Sequence, residues 1–284
     1  MLMLNYNFAA FILTHGRPDN LITLKSLERV NYTGRVIIVI DNEDSSADRY
    51  KELYGDAVYE FDKADVATRM DEGDNFGDRR SIVYARNACF EIAKELGIDY
   101  FIQLDDDYTC LQYRLGSEGY FVRGAPWIKD FDHIMNAMVE FIATTPVHTV
   151  AMAQGGDFIG GTKGKPHVKR KAMNSFVCST HKPFKFVGRI NEDVNTYTSV
   201  AGRGTLFLTH MGISLNQKQT QTNSGGMTDI YMASGTYVKS FYSVMYNPSS
   251  VKVGVLSDRG NPRLHHSVNW RCTVPQILEE KYKR

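Results

Sequence analysis

The sequence has almost no net charge, since 33 Lys and Arg offset 32 Asp and Glu to leave +1. No global field advertises a nucleic-acid partner, so any such contact has to come from a local patch. Cysteine pairs are also missing. Cys89, Cys110, Cys178 and Cys272 form no CxxC, which argues against a zinc knuckle and for reduced thiols in a cytosolic setting. Long apolar runs are absent as well: FAAFIL (8–13) and VIIVI (36–40) fall far short of the roughly 18 to 20 residues that span a bilayer. The first residues have neither the basic flank nor the small-residue cleavage site of a secretory signal, and the expectation is a cytoplasmic protein. No repeat or linker divides the chain, so 1–284 reads as one domain, with 1–110 as one half and 111–284 as the other.

Present instead, through 1–110, is an alternation of strand and helix signals. FAAFIL is an apolar run closed by THGRPDN, where Gly16 and Pro18 mark a turn and Asp19 is placed to cap the next helix. That helix, LITLKSLERV, puts Leu21, Leu24 and Leu27 on one stripe. RVIIVIDNEDSSAD is a β-branched strand that stops at Asp41. VYEF is a third strand, and DKADVATRMDEGDNFGD reads as a long irregular loop of the functional or mobile kind. RRSIVYARNACFEIAKELG then spaces Ile82, Ala85, Cys89, Ala93 and Leu96 as a helix, and YFIQL enters as the next buried strand. Such alternation predicts an α/β sandwich of Rossmann type with a mostly parallel central sheet, in which ligands collect at the carboxyl ends of the strands. Thr14 to Arg17, Asp41 with Asn42, and Asp105 to Asp107 all fall at such ends.

The second half is less regular. FDHIMNAMVEFIATT is an amphipathic helix, while HTVAMAQGG and GRGTLFLTH are strands. GGTKGKPHVKRK (160–171) is a glycine-rich basic loop, and SLNQKQTQTNSGGMTD a polar one. The basic loop is not a Walker motif, because its spacing is wrong and proline stands where serine or threonine belongs.

Three consecutive aspartates after YFIQL need a counter-charge or solvent. Hard oxygen ligands suit Mg²⁺ or Mn²⁺, which use one or two carboxylates and complete their shell with water and phosphate. In a regular strand Asp105 and Asp107 share a face while Asp106 points away. A solvated acidic turn is the alternative. Glu192-Asp193 in NEDVN offers a general base, given an acceptor within reach and a tuned basicity; helix capping near Val194 is the competing reading.

FILTHGRPDNLITLKSL, VIIVIDNEDSSAD, YARNACFEIAKELGIDYFIQLDDDY and GRINEDVNTYT, in that order, resemble the nucleotide-sugar glycosyltransferases of the GT-A fold, whose DxD motif the aspartates match. The resemblance implies that Thr14 and Arg17 bind the donor, that Asp41 recognises uridine, and that Arg86 and Asn87 face the nucleotide sugar; Asp106, pointing away from its two neighbours, is left to hold the sugar or ribose. It further implies that Asp105 and Asp107 bind Mn²⁺ or Mg²⁺ and that Glu192-Asp193 supplies the base, with Asp193 preferred. A histidine often completes the metal shell in this fold. The polar LHHS setting favours His265 or His266 over His210.

KFVGRINEDVN together with the basic loop resembles, more narrowly, the TET-associated glycosyltransferases of bacteriophages. That implies a hydroxymethylated pyrimidine in DNA as acceptor and the host cytoplasm as location. Lys163, Lys165, Lys169, Arg170 and Lys171 offer phosphate contacts. Trp127, Phe158, Tyr197, Tyr231 and Trp270 are candidate stacking platforms for an extruded base, against the plainer role of core residues. A glycan acceptor is the alternative within enzymes, and an inactive DNA-binding accessory is the alternative outside them.

Overall fold

The computed structural model describes residues 5–114, 127–158, 168–169, 171–217, 227–258 and 261–273. Strand β1 (Phe8–Leu13) is followed by α1 (Ile22–Arg29), β2 (Arg35–Asp41), α2 (Ala47–Tyr54), β3 (Val58–Phe61), α3 (Lys63–Thr68) and α4 (Val83–Glu95). Next come β4 (Tyr100–Asp105), β5 (Tyr108–Tyr113), α5 (Phe131–Thr144), β6 (Val147–Ala153), β7 (Val168–Lys169) and β8 (Phe176–Ser179). The chain continues through α6 (Glu192–Ala201), β9 (Leu206–Gln217), α7 (Met227–Tyr246), β10 (Val251–Asp258), β11 (Asn261–Val268) and α8 (Trp270–Thr273).

The strands form one sheet in the order β3-β2-β1-β4-β8-β6-β9-β5, with β7 also paired to β9. Its first four strands are all parallel. β8 runs antiparallel to both β4 and β6, and β6 returns to a parallel pairing with β9. Strands β10 and β11 form a separate antiparallel pair.

Every residue of β1 is buried, as expected of a central strand covered on both faces. Alternation sorts its side chains. Ala9, Phe11 and Leu13 pack with Tyr84, Cys89 and Phe90 of α4, whereas Phe8, Ala10 and Ile12 join Leu27 of α1 and Met135 and Val139 of α5. Helices therefore cover both faces, and no helix among the described residues is long and apolar enough to cross a membrane.

Several elements depart from the sequence reading. Helix α3 occupies part of the stretch expected to be irregular, and it starts where the Asp62 side chain accepts from the Asp65 N–H at 2.9 Å. Asp19 does not cap α1; it pairs with Arg49 at 2.8 Å, and α1 has no side-chain cap. Strand β9 runs past His210 to Gln217, and α7 begins at Met227, so both ends of the expected polar loop are regular structure.

Candidate active site

Thr14, Asp41 and Asp105 lie at adjacent strand ends because Leu13 stands in register with both Val39 of β2 and Asp105 of β4. β4 stops at Asp105, and the chain turns through Asp106 and Asp107 into β5. Helix α1 holds that turn. The Thr23 hydroxyl donates to the Asp105 carbonyl at 2.5 Å and accepts from the Tyr108 N–H at 2.9 Å, while its own N–H donates to the Asp106 carbonyl at 3.0 Å. Ser26 adds a bond from its hydroxyl to the Tyr108 carbonyl at 2.8 Å. Neither residue stands out in the sequence, where each is an isolated polar residue inside a helical stretch.

The three aspartates have different surroundings. Asp106 is buried, and its two oxygens accept from the Thr14 hydroxyl at 2.7 Å and from Arg17 Nη1 at 3.0 Å. Asp106 thus clamps the first strand end. Asp105 meets Arg86 Nη2 at 3.0 Å. Burial pushes its carboxyl up; Arg86 opposes this and Asp107, Glu192 and Asp106 add to it, the result being about 7.

Arg86 is expected to face the donor, but only 1% of it is exposed. It lies under the site instead, with Nε 3.0 Å from Glu192 and Nη2 on Asp105. Its guanidinium carbon sits 4.9 Å from the Phe176 ring centroid. Nη1 is buried and has no hydrogen-bond partner among the described residues. Arg86 is drawn inward because α4 is buried around most of its circumference, including Val83, Tyr84, Ala88 and Cys89.

Asn87 holds the backbone at Phe186. Its side chain accepts from the Phe186 N–H at 2.9 Å and donates to the Phe186 carbonyl at 3.0 Å. It borders a cavity of about 340 Å³ lined by Met70, Phe90, Phe184 and Lys185, and that lining includes neither the aspartates nor Glu192.

Asp41 is buried between an imidazole and an ammonium group, with Oδ2 2.9 Å from His15 Nδ1 and 3.2 Å from Lys63 Nζ. Burial alone would raise its carboxyl; the His15 hydrogen bond and the Lys63 charge hold it below the usual range.

Glu192 and Asp193 open α6 after Asn191, whose φ of 61° is left-handed. Glu192 answers Arg86. Asp193 is buried and accepts from the Val194 N–H at 2.7 Å. Burial and then the Glu192 charge push its carboxyl up to about 6, against the pull of Lys239. The segment before them is held from outside: the Gly188 N–H donates to the Asp71 carbonyl at 2.7 Å and the Arg189 N–H to the Glu72 carbonyl at 2.9 Å. Gly188 has φ 78°, and a Cβ there would meet the Tyr246 ring at 2.7 Å, so glycine is required. Arg189 Nε reaches Asp74 at 2.6 Å, and Arg79 Nε reaches Glu43 at 2.7 Å. Residues 71–81 therefore tie the end of β2 to the start of α6.

His266 lies beside this corner, its Nδ1 3.4 Å from Asn191 Nδ2. Burial, with the charges of His265, Lys239 and Lys171, pushes its imidazole down to about 3. His265 Nδ1 lies 2.8 Å from the His266 carbonyl. The described residues contain no cluster of three His, Cys, Asp or Glu able to hold a metal ion. Asp105, Asp107 and a histidine do not form such a cluster among the described residues.

Of the basic loop, 160–167 and 170 lie outside the described residues, as do the side chains of Phe158, Lys169 and Tyr231. Lys171 pairs with buried Asp157. Tyr197 is core and stacks on half-exposed Trp270 at 5.7 Å, while Arg29 covers Trp127 at 5.7 Å.

Thr14, Asp41 and Asp105 thus gather at the strand ends of a mostly parallel sheet. Residues 8–226 match the family model described as TET-Associated Glycosyltransferase, and the chain belongs to that family. No curated protein sequence matches the chain. Similar solved structures include glucosyl-3-phosphoglycerate synthase from Mycobacterium tuberculosis in complex with Mg²⁺ and UDP, at 8% identity, 93% of this chain, 88% of that one and TM-score 0.47. A mannosyltransferase from Pyrobaculum calidifontis in complex with GDP-Man and Mn²⁺ is similar at 11% identity, 87% and 75% coverage and TM-score 0.45. Mannosyl-3-phosphoglycerate synthase from Rubrobacter xylanophilus follows at 12% identity, 94% and 88% coverage and TM-score 0.44.

Proposed function

We propose that this glycosyltransferase moves a sugar from a nucleotide diphosphate sugar, with UDP as the favoured nucleotide, to the hydroxymethyl group of a pyrimidine in DNA, using Mn²⁺ or Mg²⁺. The observation that carries the reading is the Arg86 bridge, which sets the donor-side carboxylate Asp105 and Glu192, the neighbour of Asp193, against one guanidinium. The DNA acceptor is supported by membership of the TET-associated family.

Two carboxylates two residues apart fit a hard divalent cation, and the Asp105 carboxyl, raised chiefly by burial, also feels the added negative charges of Asp107, Glu192 and Asp106 that a cation would offset. Asp105 and Asp107 would hold the ion. When bound, the cation neutralises charge developing on the leaving diphosphate. Arg17, about a third exposed and steadied by Asp106, turns its remaining N–H groups toward the donor phosphates.

Asp193 takes the proton of the acceptor hydroxyl. Its basicity is raised toward the operating pH, whereas Glu192 is committed to Arg86. Asp193→Asn should therefore lower kcat by about 10² to 10⁴, the usual range for a lost general base, and leave UDP affinity unchanged. Wild-type kcat/KM should rise as pH climbs through about 6. The acceptor is tested by mass spectrometry of hydroxymethylated DNA incubated with a panel of nucleotide sugars and Mn²⁺. A sugar-sized mass gain on the DNA supports the reading; transfer to free glycans with none to DNA overturns it.

A further inference from the structure

His15 sits on the first turn beyond β1, within the cluster of strand ends, and has no role in the mechanism above. Its neighbours are fixed. The Gly16 N–H donates to Asp44 at 2.7 Å and the Arg17 N–H to the Tyr50 hydroxyl at 2.8 Å. The φ of 70° at Gly16 turns the chain there. The His15 side chain is 51% exposed, although its Nδ1 lies 2.9 Å from Asp41 and 3.8 Å from Asp44.

Asp41 itself is poorly placed to read a base. Oδ2 is shared by His15 and Lys63, Oδ1 accepts the Glu43 N–H at 3.2 Å, and the side chain is only 7% exposed. An ionised carboxylate offers only acceptors, so Nδ1 of His15 has to be the donor. The neutral ring then carries its lone pair on Nε2, at the edge away from Asp41.

We propose that His15, oriented by Asp41, is the residue that reads the donor nucleobase, with Nε2 accepting the ring N3–H of uracil. This rests on the nucleotide-sugar reading above and adds the base-discriminating residue to it. Cytosine has an unprotonated N3, which would set lone pair against lone pair, so the arrangement selects uridine over cytidine. Protonation turns Nε2 into a donor and removes the match. The charged groups facing the ring are Asp41 from β2, Asp44 from the following turn and Lys63 from α3. The hydrogen bond to Asp41 raises the imidazole above its ordinary value, against burial, which brings the switch toward neutral pH.

The test is calorimetric binding of UDP and of CDP, each with MnCl₂, between pH 6 and 8, to the wild type, His15→Ala and His15→Gln. Thermal unfolding of each variant checks the fold; Asp41 keeps Lys63 as partner in both. Wild type should prefer UDP at least tenfold and weaken toward pH 6. His15→Ala should lose at least tenfold in UDP affinity and most of the preference. His15→Gln retains an acceptor oxygen and should bind UDP without the added weakening at low pH, the phosphate ionisation being common to all three proteins. UDP affinity, preference and pH profile all unchanged in His15→Ala would overturn the inference and leave the donor reading standing. A wild type that binds no nucleoside diphosphate would overturn both.

Discussion

Arg86 carries a positive charge into the protein interior and is tolerated there because two carboxylates and an aromatic face meet it. Removing one partner of such a buried set typically costs about 3–5 kcal/mol, since the carboxylates are left unpaired. Arg86→Leu should accordingly lower unfolding free energy by that order in urea titration. Arg86→Lys keeps the charge without the planar fork that spans both acids. It should fold, with kcat reduced more than the donor KM changes. The sequence brought Arg86 forward as a donor-facing residue through its place in YARNACF, but its partners are 19 and 106 positions away. Separations of that size leave no local periodic trace. His15 was readable only as part of a turn, because its importance depends on a carboxylate from the next strand.

Helix α1 is short, and two of its buried residues, Thr23 and Ser26, are polar. Both serve the acidic turn, so the helix acts as a mould for the backbone of 105–108. Thr23→Val keeps the shape and removes the hydroxyl, leaving the Tyr108 N–H unsatisfied. A stability loss of about 1–3 kcal/mol is expected from that vacancy, together with weaker Mn²⁺ binding by calorimetry, as the aspartate backbone loosens. The parallel strands β1, β2 and β4 were legible because each is a short apolar run bounded by turn chemistry. Helix α7 and the β10–β11 pair were not, for reasons visible in their composition. The α7 sequence MTDIYMASGTYVKSFYSVMY mixes glycine, serine and β-branched residues, which lower helix propensity. Its regularity depends on tertiary packing against α6 and the β10–β11 pair.

For the whole molecule, ionisation of Asp105 links stability to pH. Its folded carboxyl, at about 7, lies above the ordinary 3.8, so the folded state holds a proton that the unfolded chain releases. The stabilising contribution is full below the unfolded value and is lost as pH rises through about 7. Metal-free protein should therefore show a falling Tm between pH 5 and 8, and added Mn²⁺ should raise Tm most at the alkaline end, because metal binding displaces that proton. A thermal-shift series with and without Mn²⁺ measures both slopes. The layered α/β plan was legible because alternation of strand and helix constrains topology strongly; the meeting of residues from 14 to 193 at one end follows from strand order, which no single motif encodes. The tether formed by 71–81 has a further consequence. The amide protons of Gly188 and Arg189 are bonded to the carbonyls of Asp71 and Glu72, in the same segment whose Arg79 grips Glu43 beyond the end of β2, near the end proposed to read the base. Occupation of that end by UDP should slow deuterium uptake at Gly188 and Arg189, so that an isotope clock on the acceptor side reports the arrival of the donor.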